Sequence, residues 1–216
     1  MSTTEAAGPV EYRVDGHVAV ITINRPEARN AVNGDVANGI EGAIDRLEED
    51  TGLWVGVITG VPPVFSAGAD LKMINAGRGG ELSTKRGGFA GITRRERNKP
   101  IIAAVDGPAL AGGTEIVLAC DLVVASTSAK FGIPEVKRSL VAAGGGLFRL
   151  PRKIPWNVAM ELALTGDPID ADKAAAFGLV NRLVEPGQAL SAALELAAEI
   201  TANAPVAVRE SRKAML

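Results

Sequence analysis

Hydrophobic positions in this chain follow two periods. Near the start they fall in two short stretches, "VEYRV" (Val10–Val14) and "HVAVITI" (His17–Ile23), separated by Asp15–Gly16. Alternation interrupted by Asp-Gly predicts a β-hairpin. From about Asp35 to Asp50 the period lengthens, and Val36, Ile40, Ile44 and Leu47 recur at the spacing of one helix face. "WVGVITG" (Trp54–Gly60), "IIAAVDG" (Ile101–Gly107) and "DLVVAS" (Asp121–Ser126) are β-rich runs without strict alternation. Strands apolar on both faces, with helical patterns between them, predict parallel pairing beneath flanking helices. After Ser126 the pattern predicts helices around Trp156–Leu164 and Ala171–Phe177, and from Gln188 to about Thr201. Another helix begins with Pro205 near its first turn, a position suited to proline. The expectation is an α/β fold whose helical C-terminal region reads as incomplete at Leu216.

Composition narrows the class. Of 216 residues, 47% are hydrophobic and 22% charged, ordinary values for a water-soluble globular chain. A net charge of −2 gives no electrostatic case for nucleic acid or a membrane surface as partner. One cysteine (Cys120) allows no internal disulfide, and with a single histidine (His17) no zinc site of the usual N/S type is expected. No apolar run reaches membrane-span length. The opening "MSTTEAAGPV" lacks a basic region, so a loose N-terminus and a cytoplasmic location are expected. Gly77–Asn98 is rich in glycine and arginine. It reads as a mobile surface loop with a solvated helix face, or as a flexible wall placing Arg94, Arg95 or Arg97 near a phosphorylated ligand.

Candidate chemistry lies in two segments of one design: a strand, a turn of small residues, then an acid at a helix start. They are "VFSAGADL" (Val64–Leu71) and "VDGPALAGGTE" (Val105–Glu115). Glycine permits close backbone approach, and a helix start leaves N–H groups unpaired, so each turn can hold an anion or a developing oxyanion. Tight helix packing would account for the same glycines, with Asp70 and Glu115 as ordinary first-turn acids. Glu135, in "KFGIPEVKRSL", lies twenty positions after Glu115 and beyond the strand Asp121–Ser126. If that strand runs back beside the helix, the two carboxylates meet and can divide acid and base roles; spacing alone leaves a solvated Glu135 equally open. Other motifs fail. "FSAG" has Val64 where a nucleophile elbow needs glycine, and "AAGGGLF" (Ala142–Phe148) lacks the ending of a phosphate loop. His17 reads as a half-exposed strand residue, and Cys120, Trp54 and Trp156 as packing.

Taken together, "NRPEARNAVN" (Asn24–Asn33), "FSAGADLK" (Phe65–Lys72), "AVDGPALAGGTEIVLACDLVVAS" (Ala104–Ser126), "FGIPEV" (Phe131–Val136) and "LTGDPIDADKAAAFGLVNRLV" (Leu164–Val184) resemble the crotonase superfamily of enoyl-CoA hydratases and isomerases. The resemblance implies a crotonase-type spiral of ββα units with mostly parallel strands over residues 1–185. Residues 186–216 would begin a C-terminal helical region. It implies assembly as a homotrimer or dimer of trimers. It further implies an acyl-CoA thioester substrate whose carbonyl oxygen sits in an oxyanion hole formed by the backbone N–H groups of Ala69 and Gly112. No cofactor is implied, coenzyme A being part of the substrate. Ala28 and Ala67 match positions at the adenine end, and Gly68, Asp70, Leu71 and Lys72 complete the expected substrate-binding set. Glu27 stands where relatives often carry a base, and Arg29 is the substitute. Hydratases of this family retain two glutamates, matched by Glu115 and Glu135. The implied reaction is addition of water to a 2-enoyl-CoA, Glu115 activating water at C3 and Glu135 protonating C2. Alternatives are a 3,2-enoyl-CoA isomerase, another acyl-CoA lyase of this superfamily, or a non-catalytic acyl-CoA-binding module. After Glu135 the chain has "VKRSLVAAGGGLFRLP" in place of the proline-glycine turn of well-known hydratases, a departure bordering the water and acyl end.

Overall fold

The structure is a computed structural model and describes residues 8–216; the N-terminal stretch read as loose lies, up to Ala7, outside the described residues. The chain begins with an antiparallel hairpin of β1 (Val10–Asp15) and β2 (Val18–Ile23), closed by Asp15↔Val18 with Gly16 in the left-handed region. Helix α1 (Gly34–Glu49) follows, capped by the Asn33 side chain, which accepts from Val36 N–H. Next come β3 (Val55–Gly60), α2 (Leu71–Asn75), a small hairpin of β4 (Ser83–Thr84) and β5 (Gly88–Phe89), β6 (Ile101–Val105) and β7 (Ala109–Leu110). Helix α3 (Gly112–Ala119) leads to β8 (Leu122–Ser126), β9 (Lys130–Gly132), α4 (Gly146–Lys153), α5 (Trp156–Thr165) and β10 (Ile169–Asp170). Helix α6 (Ala171–Ala176), β11 (Arg182–Val184), α7 (Ala189–Thr201) and α8 (Pro205–Met215) complete the order.

Six strands form the main sheet in the order β1-β2-β3-β6-β8-β11, parallel throughout except for the first pair. Its strands lack alternation because both faces are covered. On one face Val18, Val20, Val55, Val57, Ile102, Ala104 and Val124 pack against Ala192, Ala193 and Ala197 of α7. On the other, Ile21, Ile58, Ala103 and Val123 share a core with Ile40, Ile44 and Leu47 of α1 and with Ile116 and Val117 of α3. Burial on both sides leaves no solvent face to demand polar residues.

A second ladder generates the spiral. β7 and β9 pair in parallel, β9 pairs with β10, and single parallel bridges Val32↔Ala69 and Ser66↔Ala109 extend the row. After each of β2, β3, β6 and β8, the chain therefore contributes a short piece to this second layer. The region after Ser126 is less helical than its sequence pattern predicts, because β9, β10 and β11 lie within it. Runs of two or three residues are too short to express a period.

Gly77–Asn98 departs from the first of its two readings, a surface loop with a solvated helix face, and agrees with the second in supplying a wall of the main cavity. It forms a 3-10 turn and the β4–β5 hairpin, with Leu82, Ala90, Ile92 and Thr93 buried, and contains no α-helix. Arg95 pairs with Asp45 of α1, and Arg97 bonds Asp121 at 2.8 Å with its side chain buried, so both stabilise the fold. Arg94 alone of the three arginines reaches the main cavity. His17 lies exposed in the first hairpin turn, its ring stacked 3.8 Å from that of Trp54. No helix among the described residues is long and apolar enough to cross a membrane, and none of their His, Cys, Asp and Glu side chains cluster as a metal site.

Candidate active site

The ends of the second-layer segments enclose a cavity of about 1100 Å³. Its wall combines the loop after β2, the turn before α2, the β4–β5 hairpin, the start of α3 and the 3-10 turn Pro134–Arg138. Asn30 pins the first of these loops. It is fully buried at φ 53, its amide donates to the carbonyls of Val61 and Val64, and its Oδ1 accepts from Arg25 N–H. Ser66 Oγ then donates to Asn30 O and accepts from Gly68 N–H, which fixes the second turn on the first.

The two small-residue turns meet. Gly68 has φ +86, and a Cβ there would stand 2.6 Å from Gly112 N, so only glycine allows the approach. Ala111, the residue that launches α3, is held at φ 52, a conformation unfavourable to a side chain and fixed here by its N–H bond to Gly132 O. Beside each other, the N–H groups of Ala69 and Gly112 have no acceptor among the described residues. Both residues line the cavity. Unpaired donors at a helix start and a neighbouring turn suit an oxygen that gains negative charge.

Glu115, in the first turn of α3, is buried with 3% exposure and faces the same cavity. Its Oε1 accepts from Gly146 N–H at 2.9 Å, at the start of α4. The stretch that fails as a phosphate loop, Gly144–Gly146, is instead wrapped around this carboxylate. A Cβ at position 144 would lie 2.4 Å from Oε2, and one at 146 would lie 3.2 Å from Oε1. Burial pushes the Glu115 carboxyl above its ordinary value, while backbone donors of Gly146, Gly144 and Gly145 and the Arg149 charge oppose the shift.

Glu135 reaches the cavity from the 3-10 turn Pro134–Arg138. Strand β8 does not bring it there. β9 does, by running parallel beside β7, with Leu110 opposite Gly132, so that α3 and the 3-10 turn leave from one edge. Oε2 of Glu135 is buried with no hydrogen-bond partner among the described residues. Burial is the larger cause, and repulsion by Glu115 adds to it, pushing this carboxyl up to about 7. The environments thus differ: the Glu115 carboxylate is cradled by the N–H groups of Gly144, Gly145 and Gly146, whereas Glu135 has its own backbone N–H opposing the rise and leaves Oε2 without a partner.

Ala28, Arg29, Ala67, Asp70, Leu71 and Lys72 also line the cavity, while Gly68 sits behind the wall against Gly112. Asp70 is engaged in the fold: its side chain accepts from Lys72 N–H at the start of α2 and pairs with Arg25 at 3.3 Å. Asn30 and the Gly144–Gly146 cradle are the residues sequence reasoning missed; three consecutive glycines were the visible signal for the cradle. We expect Gly144→Ala to displace the Glu115 carboxylate and lower kcat by roughly 10²-fold, the scale for small misplacements of a reacting group. Steady-state kinetics beside a thermal melt checks this, because a packing effect alone would lower Tm and leave kcat.

Residues 13–216 match the enoyl-CoA hydratase/isomerase family. Enoyl-CoA hydratase EchA19 of Mycobacterium tuberculosis is 43% identical over 215 residues, covering 97% of this chain and 80% of the relative. A crystal structure of an enoyl-CoA hydratase from M. tuberculosis superposes with a TM-score of 0.91 at 52% identity, covering 95% of this chain and 80% of that one. A carnitinyl-CoA dehydratase from Mycobacterium avium gives a TM-score of 0.92 at 48% identity, with coverage of 97% and 82%.

Proposed function

We propose, from the premise that the chain belongs to the enoyl-CoA hydratase/isomerase family, that it catalyses reversible syn addition of water to a 2-enoyl-CoA thioester, giving the 3-hydroxyacyl-CoA. The observation that carries this reading is the pair of carboxylates, buried Glu115 and half-buried Glu135, in one cavity with the free N–H groups of Ala69 and Gly112. Glu115 takes a proton from water as its oxygen bonds to C3. The displaced electron pair moves to the thioester oxygen, giving an enolate held by the two N–H donors. Glu135 then delivers its proton to C2. Both acids act from one side of the substrate, which accounts for syn addition. Hydratase and dehydratase relatives point to one type of chemistry, since hydration and dehydration are the two directions of one kind of reaction.

This sequence of steps uses protein groups alone, so no cofactor is invoked beyond the coenzyme A of the substrate. Ala28, Arg29, Ala67, Asp70, Leu71 and Lys72 are proposed as the coenzyme A wall, with Gly68 shaping it from behind. Exposed apolar side chains on α4 and α5, among them Phe148, Trp156 and Leu164, support contact with a further copy of the chain, and the homotrimer or dimer of trimers is proposed from the family resemblance. The test is incubation with crotonyl-CoA, following loss of the conjugated thioester's ultraviolet absorbance and weighing the product. A product heavier by one water is expected. No water adduct, with 3-enoyl-CoA converted to 2-enoyl-CoA, would overturn hydration in favour of isomerisation.

A further inference from the structure

Arg149, in the first turn of α4, does not line the cavity. A cation in a first turn has the wrong sign for the helix dipole, so its placement asks for a local reason. Its Nη1 donates to Gly144 O at 3.1 Å, and its Nη2 donates to Thr93 O on the segment following the β4–β5 hairpin. The guanidinium also lies 4.7 Å over the Phe148 ring. A Cβ at position 145 would stand 2.1 Å from Nη1, so Gly145 makes room for the contact.

The consequence for Glu115 follows from peptide geometry. A trans peptide points its C=O and the next N–H in opposite directions. Anchoring Gly144 O on Arg149 therefore turns Gly145 N–H away from the guanidinium, to the side where Gly146 N–H already bonds Glu115 Oε1. We propose that Arg149 is a positioning residue for Glu115, clamping the glycine cradle to the buried Thr93 segment so that its N–H groups stay aimed at the carboxylate. The clamp also ties the base to the hairpin whose Phe89 and Gly88 form another wall of the cavity. Glu135 and Arg149 are the charged side chains acting on Glu115, and Arg97, Arg152 and Lys153 are the neighbouring cations around Arg149. The catalytic part of this inference rests on Glu115 being the base of the proposed hydration; the placement of its carboxylate does not.

The deciding experiment needs no substrate. Protein labelled with carbon-13 at the glutamate carboxyls is titrated by NMR, with Glu115→Gln identifying the resonance, in wild type, Arg149→Lys and Arg149→Met. Loss of the clamp removes donors and a positive charge from an ionised group, so Glu115 should titrate at higher pH in the Met variant and at an intermediate pH in the Lys variant. In kinetics, the acid limb of kcat/KM for crotonyl-CoA hydration should move up together with it, with kcat falling by up to about 10²-fold and KM little changed. An unchanged Glu115 titration in a folded Arg149 variant overturns the proposal, whether or not Tm falls. Should the Met variant not fold, the Lys variant decides by the same criterion. A wild-type enzyme that fails to hydrate crotonyl-CoA counts against the proposed reaction, while the titration still decides the role of Arg149.

Discussion

Glu115→Gln should lower kcat for hydration by roughly 10²–10⁴-fold, the usual contribution of one positioned general base. The substitution preserves size, and Gln Oε1 can still accept from Gly146 N–H, so the α3–α4 contact survives. What is lost is the negative charge that, in the proposed mechanism, takes the proton from water. Binding of an unreactive acyl-CoA should stay near the wild-type level, because the N–H groups of Ala69 and Gly112 are backbone and remain where the two turns put them. Comparing kcat from rapid-mixing kinetics with the Kd of a saturated acyl-CoA separates the two effects. Wild-type kcat in this variant would remove Glu115 from the mechanism.

Glu135→Gln should produce a loss of similar size, roughly 10²–10⁴-fold, for the opposite reason: it removes the proton that C2 receives. The pH dependence distinguishes the acids. In the proposed mechanism Glu135 acts protonated, and burial raises its carboxyl to about 7. Hydration should therefore fall as pH rises through about 7. In the same proposal Glu115 acts ionised, and burial raises it also, so the acid limb is expected to follow its protonation. Repulsion by the Glu115 charge adds to the rise at Glu135. Glu135→Gln should abolish the alkaline limb and keep the acid one; an alkaline limb that persists would assign it elsewhere. Stability gives an independent check of sign. A carboxyl raised in the folded state binds its proton more tightly than the unfolded chain does, so its contribution is full below the ordinary value of 4.5 and lost as pH rises through about 7. Glu135→Gln should flatten that part of a Tm–pH curve.

Much of the architecture was legible because burial imposes a period. The α1 stripe of Val36, Ile40, Ile44 and Leu47 is buried as its spacing predicts, and the runs in β3 and β6 are buried on both faces. Both strand-turn-acid segments were visible as well, since glycine at a tight approach leaves a compositional trace. The Gly77–Asn98 segment was not. Its glycine and arginine content suggests solvent, yet Arg95 and Arg97 are tied to acids on distant elements, Asp45 and Asp121. A charge run shows no sign of the partner that neutralises it.

The site marks the boundary between the two kinds of information. Sequence by itself determined the candidates for the chemistry: two carboxylates, two turns with spare N–H groups, and glycines where the backbone must come close. Tertiary structure decided that they face one another. Glu135 reaches Glu115 because β9 lies parallel to β7, a pairing of a three-residue strand with a two-residue strand, too short to show in any periodicity. Gly144–Gly146 became a cradle for Glu115 and not for phosphate because α4 begins beside α3. A run of glycines with a helix start behind it binds an anion in either case. Which anion it meets is set by contacts across the fold, which local sequence does not encode.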